Sequence, residues 1–147
     1  MAQGRVGDLE LSVGYVLKQV HARLRGAMDE ALRPMDLTVP QYACLEILGQ
    51  SPGLSNSELA RRAFVTRQSM NLVVRRLQER GLLTRPDHAE QGRSLPTALT
   101  EEGRTALDRA SRTISAVEAQ VFSALSPQQQ RRVRDDLRSC LDPPAVE

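Results

Sequence analysis

Only two histidines and two cysteines occur among the 147 residues, and that scarcity removes several chemistries at once. His21 and His88 lie far apart, with no cysteine or acidic cluster at ligand spacing, so no metal site is expected. Two cysteines do not make a disulfide framework: Cys44 falls in an apolar helical pattern and reads as a buried small hydrophobe, whereas Cys140, near the carboxyl end, is expected to be exposed. No apolar run approaches the roughly 20 residues that span a bilayer. The amino-terminal MAQGRVGDLELS also lacks the hydrophobic stretch of a signal peptide. Together these features predict a soluble cytoplasmic protein with no membrane role. Also missing are a nucleophile–base constellation, a glycine-rich phosphate loop and a convincing pair of catalytic carboxylates, so neither an enzyme nor a cofactor is expected. Lysine is nearly absent, Lys18 being the one lysine among 20 basic residues, and we attach no function to that bias.

What is present is arginine, and it is unevenly placed. The net charge is only +2, yet residues 55–99 hold eight arginines against four acids, which makes the middle third the anion-seeking part. Four of those arginines and a single acid lie in Thr66-Arg67-Gln68-Ser69-Met70-Asn71-Leu72-Val73-Val74-Arg75-Arg76-Leu77-Gln78-Glu79-Arg80-Gly81-Leu82-Leu83. At about 100° per residue, Thr66, Met70, Val73 and Leu77 share a core-facing side with Val74 at its edge. Gln68, Asn71, Arg75 and Glu79 lie opposite. Amide and guanidinium donors are the groups that read base edges in a DNA major groove; a solvated charged face is the plainer alternative for an isolated helix.

The neighbouring segments supply the context. A long amphipathic helix is expected from about Asp8 to Arg33, stopped by Pro34, and a second begins at Thr38 with Pro40 in its first turn. Leu54-Ser55-Asn56-Ser57-Glu58-Leu59 opens a third, with Ser55 and Glu58 as a capping box and Leu54 and Leu59 placed for a hydrophobic staple. After a short turn Thr66 caps the fourth, which should end in a Schellman cap at Gly81 with Leu82 meeting Leu77. Two short helices joined by a tight turn, the second polar and arginine-rich, form a helix-turn-helix pattern.

Leu82–Arg85 and Arg93–Leu99 then read as a hairpin with a long tip, in which Pro96 requires an edge strand and Arg93 is the basic residue at the tip. The expected fold is therefore mainly α, a winged helix-turn-helix over about 38–99. Thr100-Glu101-Glu102 caps a long helix with a stripe of Leu107, Ala110, Ile114, Val117, Val121 and Leu125; Ser126-Pro127-Gln128-Gln129 opens the last, lined by Val133, Leu137 and Leu141. The ends, about 8–33 and 100–142, carry more apolar stripe than one small core covers. They are expected to be dimerisation helices in a single domain spanning 1–147, the alternative being a monomer whose ends fold over its own core. In a two-fold dimer two recognition helices would meet half-sites about one helical turn apart.

Taken in order, Asp36-Leu37-Thr38-Val39-Pro40-Gln41-Tyr42, Leu54-Ser55-Asn56-Ser57-Glu58-Leu59-Ala60, Thr66-Arg67-Gln68-Ser69-Met70-Asn71, Leu77-Gln78-Glu79-Arg80-Gly81-Leu82 and Gly92-Arg93-Ser94-Leu95 through Leu99-Thr100-Glu101-Glu102-Gly103 resemble the MarR family of bacterial transcriptional regulators over nearly the whole chain. The resemblance implies a homodimer that binds double-stranded operator DNA, and a small-molecule or oxidant signal that releases it. It places Arg67, Gln68, Ser69, Asn71 and Arg75 at bases and nearby phosphates. Ser55 and Thr66 would present helix N-termini to phosphates, and Arg93 would enter the minor groove. Many members carry a more basic wing than Asp87-His88-Ala89-Glu90-Gln91-Gly92-Arg93-Ser94, so weaker wing contact is expected. Of Arg75, Arg76 and Arg80, one or two at most can face bases; the others would meet phosphates or local partners.

The family's effector pocket lies where the terminal helices meet the winged helix, which would bring His21, Arg25 and Tyr42 within reach of a small aromatic or phenolic acid. Packing is the alternative role for Tyr42 and His21. A cysteine-based redox regulator is a second possibility, but Cys44 would need solvent access and a depressed pKa to react. From a different class, a winged-helix module that docks a protein instead of DNA is the rival function; retention of Gln68, Asn71, Arg75 and Arg93 together argues against it.

Overall fold

The computed structural model describes residues 4–85 and 96–142. The amino-terminal helix is shorter than the apolar stripe suggested. Asp8 caps a single 3-10 turn, Leu9–Leu11, and Ser12 then starts α1 (Val13–Leu32) by accepting from the Tyr15 amide. Two short oxygen-bearing side chains compete for neighbouring amides, and the chain bends between them. Pro34 lies in a second 3-10 turn, Arg33–Met35, after which Asp36 adopts a left-handed φ of 54°. Thr38 and Gln41 form a complete capping box, with bonds of 3.2 and 3.0 Å, at the start of α2 (Val39–Gln50).

Ser55 caps α3 (Asn56–Arg62), although its box differs from the expected one. Its Oγ accepts from the Glu58 amide and donates to the Glu58 carboxylate, each at 3.2 Å, so the carboxylate takes the hydroxyl and not the Ser55 backbone amide. Thr66 caps α4 (Arg67–Glu79). Gly81, at φ 73°, closes α4 as the Schellman motif requires: Gly81 N donates to Gln78 O and Leu82 N to Leu77 O, both at 2.9 Å.

The hairpin is short: β1 (Leu83–Thr84) pairs antiparallel with β2 (Ala98–Leu99), Leu83 opposite Leu99. Pro96 and Thr97, expected within the second strand, precede it, since proline has no amide for the ladder. The tip, with Arg93 and His88, lies outside the described residues. Thr100 caps α5 (Glu101–Val121), and a Cβ on Gly103 would stand 2.0 Å from the Leu82 carbonyl oxygen, so only glycine lets α5 seat against the end of the Schellman turn. Ser126, in a full box with Gln129, opens α6 (Pro127–Ser139). Leu125, expected on the α5 stripe, falls in the link before α6, and Leu141 lies beyond its end.

Leu32, Leu45, Leu48, Leu59, Met70 and Leu77 form the centre of the core, each at most 2% exposed, and each such burial contributes about 2 kcal/mol. Cys44 lies with them as expected. On α4 the buried row is Met70, Val74 and Leu77, with Val73 half-buried and Thr66 exposed. The core face is therefore turned by about 40° from the wheel reading, a fraction of one residue's step: Val74 moves from its edge into the buried row, Val73 to its margin, and Thr66 is the cap outside the helix.

Candidate nucleic-acid interface

The α3–α4 unit presents one polar end to solvent. Its inner sides are fixed by Leu59 and Ala60 on α3 and by Met70, Val74 and Leu77 on α4, which leaves Arg67, Gln68, Ser69, Asn71 and Arg75 on the exposed face. Thr66 Oγ accepts from the Ser69 amide at 3.0 Å and donates to the Ser69 hydroxyl oxygen at 2.9 Å. The Ser69 hydroxyl thereby keeps its own proton for an outside acceptor. Ser55 is placed differently, with its hydroxyl committed to Glu58 on both sides.

Two side chains that the sequence reading did not single out hold the reading groups. Arg67 Nε donates to Ser57 Oγ at 2.8 Å, and Asn56 Nδ2 donates to Asn71 Oδ1 at 2.8 Å. Both cross from the first turn of α3 to the first two turns of α4, so α3 acts as a bracket that orients an arginine and an amide before any ligand arrives. Asn71 retains its amide protons, the donor half of the pattern that meets adenine. The only sequence signal for these bonds was a run of short polar residues, Ser55-Asn56-Ser57, and such a run reads equally well as capping.

The charge of this face is not neutralised internally. Among the described residues, the ion pairs within 4 Å are Arg25–Asp29, Arg132–Asp136 and Arg134–Asp135, all away from α3 and α4. Arg67 and Arg75 are thus available to phosphates and bases. Arg80 is not: its Nη1 donates to the Asp36 carbonyl at 2.6 Å and its Nη2 to the Met35 carbonyl at 3.4 Å, which fastens the far end of α4 to the turn between α1 and α2. Of the arginines expected to split between outward and local roles, Arg80 takes a local one.

The three candidate effector residues lie on α1 and α2. His21 and Arg25 are exposed on α1, Arg25 facing Asp29 at 3.7 Å. Tyr42 is half-buried on α2; burial first, then the neighbouring Glu46 carboxylate, pushes its phenol up to about 12, so it remains a neutral hydrogen-bonding group. Four surface cavities of about 410 to 720 Å³ include none of these residues in their walls. The cavity of about 530 Å³ is an apolar groove between the start of α1, the end of α5 and one side of α6, bordered by Val16, Leu17, Val121, Phe122, Val133 and Leu137. Burial alone pushes the Cys44 thiol up to about 12, the opposite of what a reactive cysteine needs; Cys140 is exposed.

Two short helices around a tight turn, an unneutralised arginine and amide face at the start of the second, and an antiparallel hairpin immediately after it define a winged helix-turn-helix DNA-reading protein. The MarR family profile matches residues 35–94. The HTH-type transcriptional repressor Rv2887 of Mycobacterium tuberculosis is 46% identical over 122 residues, covering 83% of this chain and 88% of the relative. The chain belongs to the MarR family. Its fold matches the crystal structure of Rv2887 in complex with salicylic acid, with a TM-score of 0.77 and 43% identity over 92% of this chain and 99% of that one. It also matches the structure of Rv2887 in complex with DNA, with a TM-score of 0.75 and 42% identity over 88% and 97%.

Proposed function

We propose that this chain is a homodimeric, ligand-responsive transcriptional repressor that binds a palindromic operator. The observation that carries the reading is the α4 face: Arg67 and Asn71 are oriented by Ser57 and Asn56, and among the described residues no carboxylate pairs with Arg67. Arg67, Gln68, Ser69, Asn71 and Arg75 address bases and adjacent phosphates in the major groove. Thr66, and more weakly Ser55, mark helix starts beside phosphates, and Arg93 reaches the minor groove. The apolar groove between α1, α5 and α6 is the surface the second copy covers, and the two ends together form the dimerisation part of a single domain. No catalytic step is assigned, and the site of action is the cytoplasm, with the DNA.

The effector is a small aromatic or phenolic acid, a reading supported by the salicylic acid complex of Rv2887. His21, Arg25 and Tyr42 are its candidate contacts, a cation for the carboxylate and a neutral phenol for a hydrogen bond. Release follows if the effector binds better to a dimer whose recognition helices are wrongly spaced than to the DNA-competent one.

Fluorescence anisotropy on the DNA upstream of its own gene, against a scrambled duplex and across a salt series, tests the reading. The expected result is selective binding by one dimer per site, weakened by salicylate. If about eight phosphates are neutralised, the logarithmic salt slope should be about −7. Equal weak binding to both duplexes, or operator binding undiminished in Arg75→Ala/Arg93→Ala, would overturn it.

A further inference from the structure

Phe64, in the turn between α3 and α4, occupies a position that nothing among the described residues rewards. Its φ is 58°, a left-handed conformation that crowds an L side chain and suits glycine or asparagine. The backbone is held there by the turn itself, since Phe64 N donates to Arg61 O at 3.4 Å and Val65 N to Ala60 O at 3.1 Å. The ring recovers nothing by packing, because the residue is 95% exposed, more than any other large hydrophobic of the described chain. An aromatic therefore stands where both the backbone and the solvent disfavour it. Strain of this kind, held in place by its surroundings, is characteristic of contact sites.

The position decides what it touches. In a helix-turn-helix the first helix crosses the DNA backbone and the second enters the major groove by its N-terminal residues, so the turn descends from phosphate to base edge. Phe64 is two residues before the Thr66 cap and three before Arg67. The apolar feature offered by bases in that groove is the thymine methyl group, which an aromatic side chain can cover.

Building on the operator-binding reading above, we propose that Phe64 is a specificity-determining residue whose ring packs on a thymine 5-methyl group beside the bases addressed from the start of α4. It contributes an apolar contact where Arg67, Gln68 and Asn71 contribute polar ones.

The test uses the full-length dimer and a duplex that the wild-type protein enriches from a random pool. Phe64→Ala should lose about tenfold in affinity for that duplex while keeping its weak affinity for a scrambled one. Replacing thymines one at a time by deoxyuridine, which removes only the methyl group, should weaken wild-type binding at one position per half-site and leave Phe64→Ala unaffected there. Phe64→Gly should melt about 3 °C higher than the wild type, since the left-handed strain is relieved, and still bind the duplex poorly. Unchanged affinity in Phe64→Ala, or no methyl-sensitive position that the substitution abolishes, would overturn the proposal and leave operator binding intact. Failure of the wild type to enrich any duplex would overturn both.

Discussion

Helices α4 and α6 are each 13 residues long, each opens on a hydroxyl cap, and each carries an apolar row opposite polar and charged residues that include arginine. Their surroundings are nevertheless opposite. Met70, Val74 and Leu77 of α4 are buried by α2, α3 and the hairpin, whereas α6 buries no residue and leaves Val133 and Leu137 about 40% exposed. Periodicity names the face of a helix that seeks cover without saying which molecule supplies it. For α4 the cover lies within the same chain. For α6 the groove shared with α1 and α5 remains open, and a second copy is its proposed cover.

Charging that groove is the strongest way to break the comparison. Val133→Asp with Leu137→Asp should leave the winged helix folded by circular dichroism but halve the mass measured by light scattering. Operator affinity should fall by roughly 100-fold or more, because two half-sites would no longer be bound as one. An unchanged mass would mean that α6 finds its cover elsewhere. A milder change on the other helix sharpens the contrast: Thr66→Ala removes the cap oxygen from the Ser69 amide and should cost about 1 kcal/mol in urea unfolding. It should do so without altering the mass of the particle.

The smallest effect concerns the thiols. At pH 8 in native buffer Ellman's reagent should modify Cys140 and spare Cys44, and modification of both would place Cys44 on the surface. In alkali the sign follows from burial. The unfolded thiol releases its proton from about pH 9.0 and the folded one only near 12, so the unfolded state binds fewer protons in that window and stability falls as pH rises through it. Tyr42 acts in the same direction from pH 10.0 to about 12. Cys44→Ala should therefore remove the decline between pH 9 and 10, measured as urea midpoints, and leave between pH 10 and 12 only the part that Tyr42 contributes.

The features legible in the sequence were those decided within a few residues. The caps at Thr38, Thr66, Thr100 and Ser126, the Schellman turn at Gly81, and the buried Cys44 all depend on local hydrogen bonding or on apolar spacing, and all are present. The split before α1 was missed because Asp8 and Ser12 each outcompete continuation of the helix, although the apolar stripe runs on without a break. The core face of α4 was turned slightly, with Val74 and not Val73 in the buried row, and a cap was counted as part of the wheel. The exposed row on α4 was legible, but the Arg67–Ser57 and Asn71–Asn56 bonds were not, since a side chain cannot declare its partner ten or fifteen residues away. Local pattern says least about effector contacts, which depend on tertiary junctions, and His21, Arg25 and Tyr42 remain a proposal.

The Arg80 bond to the Asp36 carbonyl has a mechanical meaning. It pins one end of a 13-residue rod, about 20 Å long, to the junction of α1 and α2, while the opposite end carries Arg67 and Gln68. Because α3 is bonded to the other end, the two helices would swing as one body. Rotation of about 10° at the junction would carry the far end sideways by about 3 Å, as much as the length of a hydrogen bond. Small rearrangements far from the DNA would thus arrive at the bases magnified, with the guanidinium of Arg80 as the fulcrum.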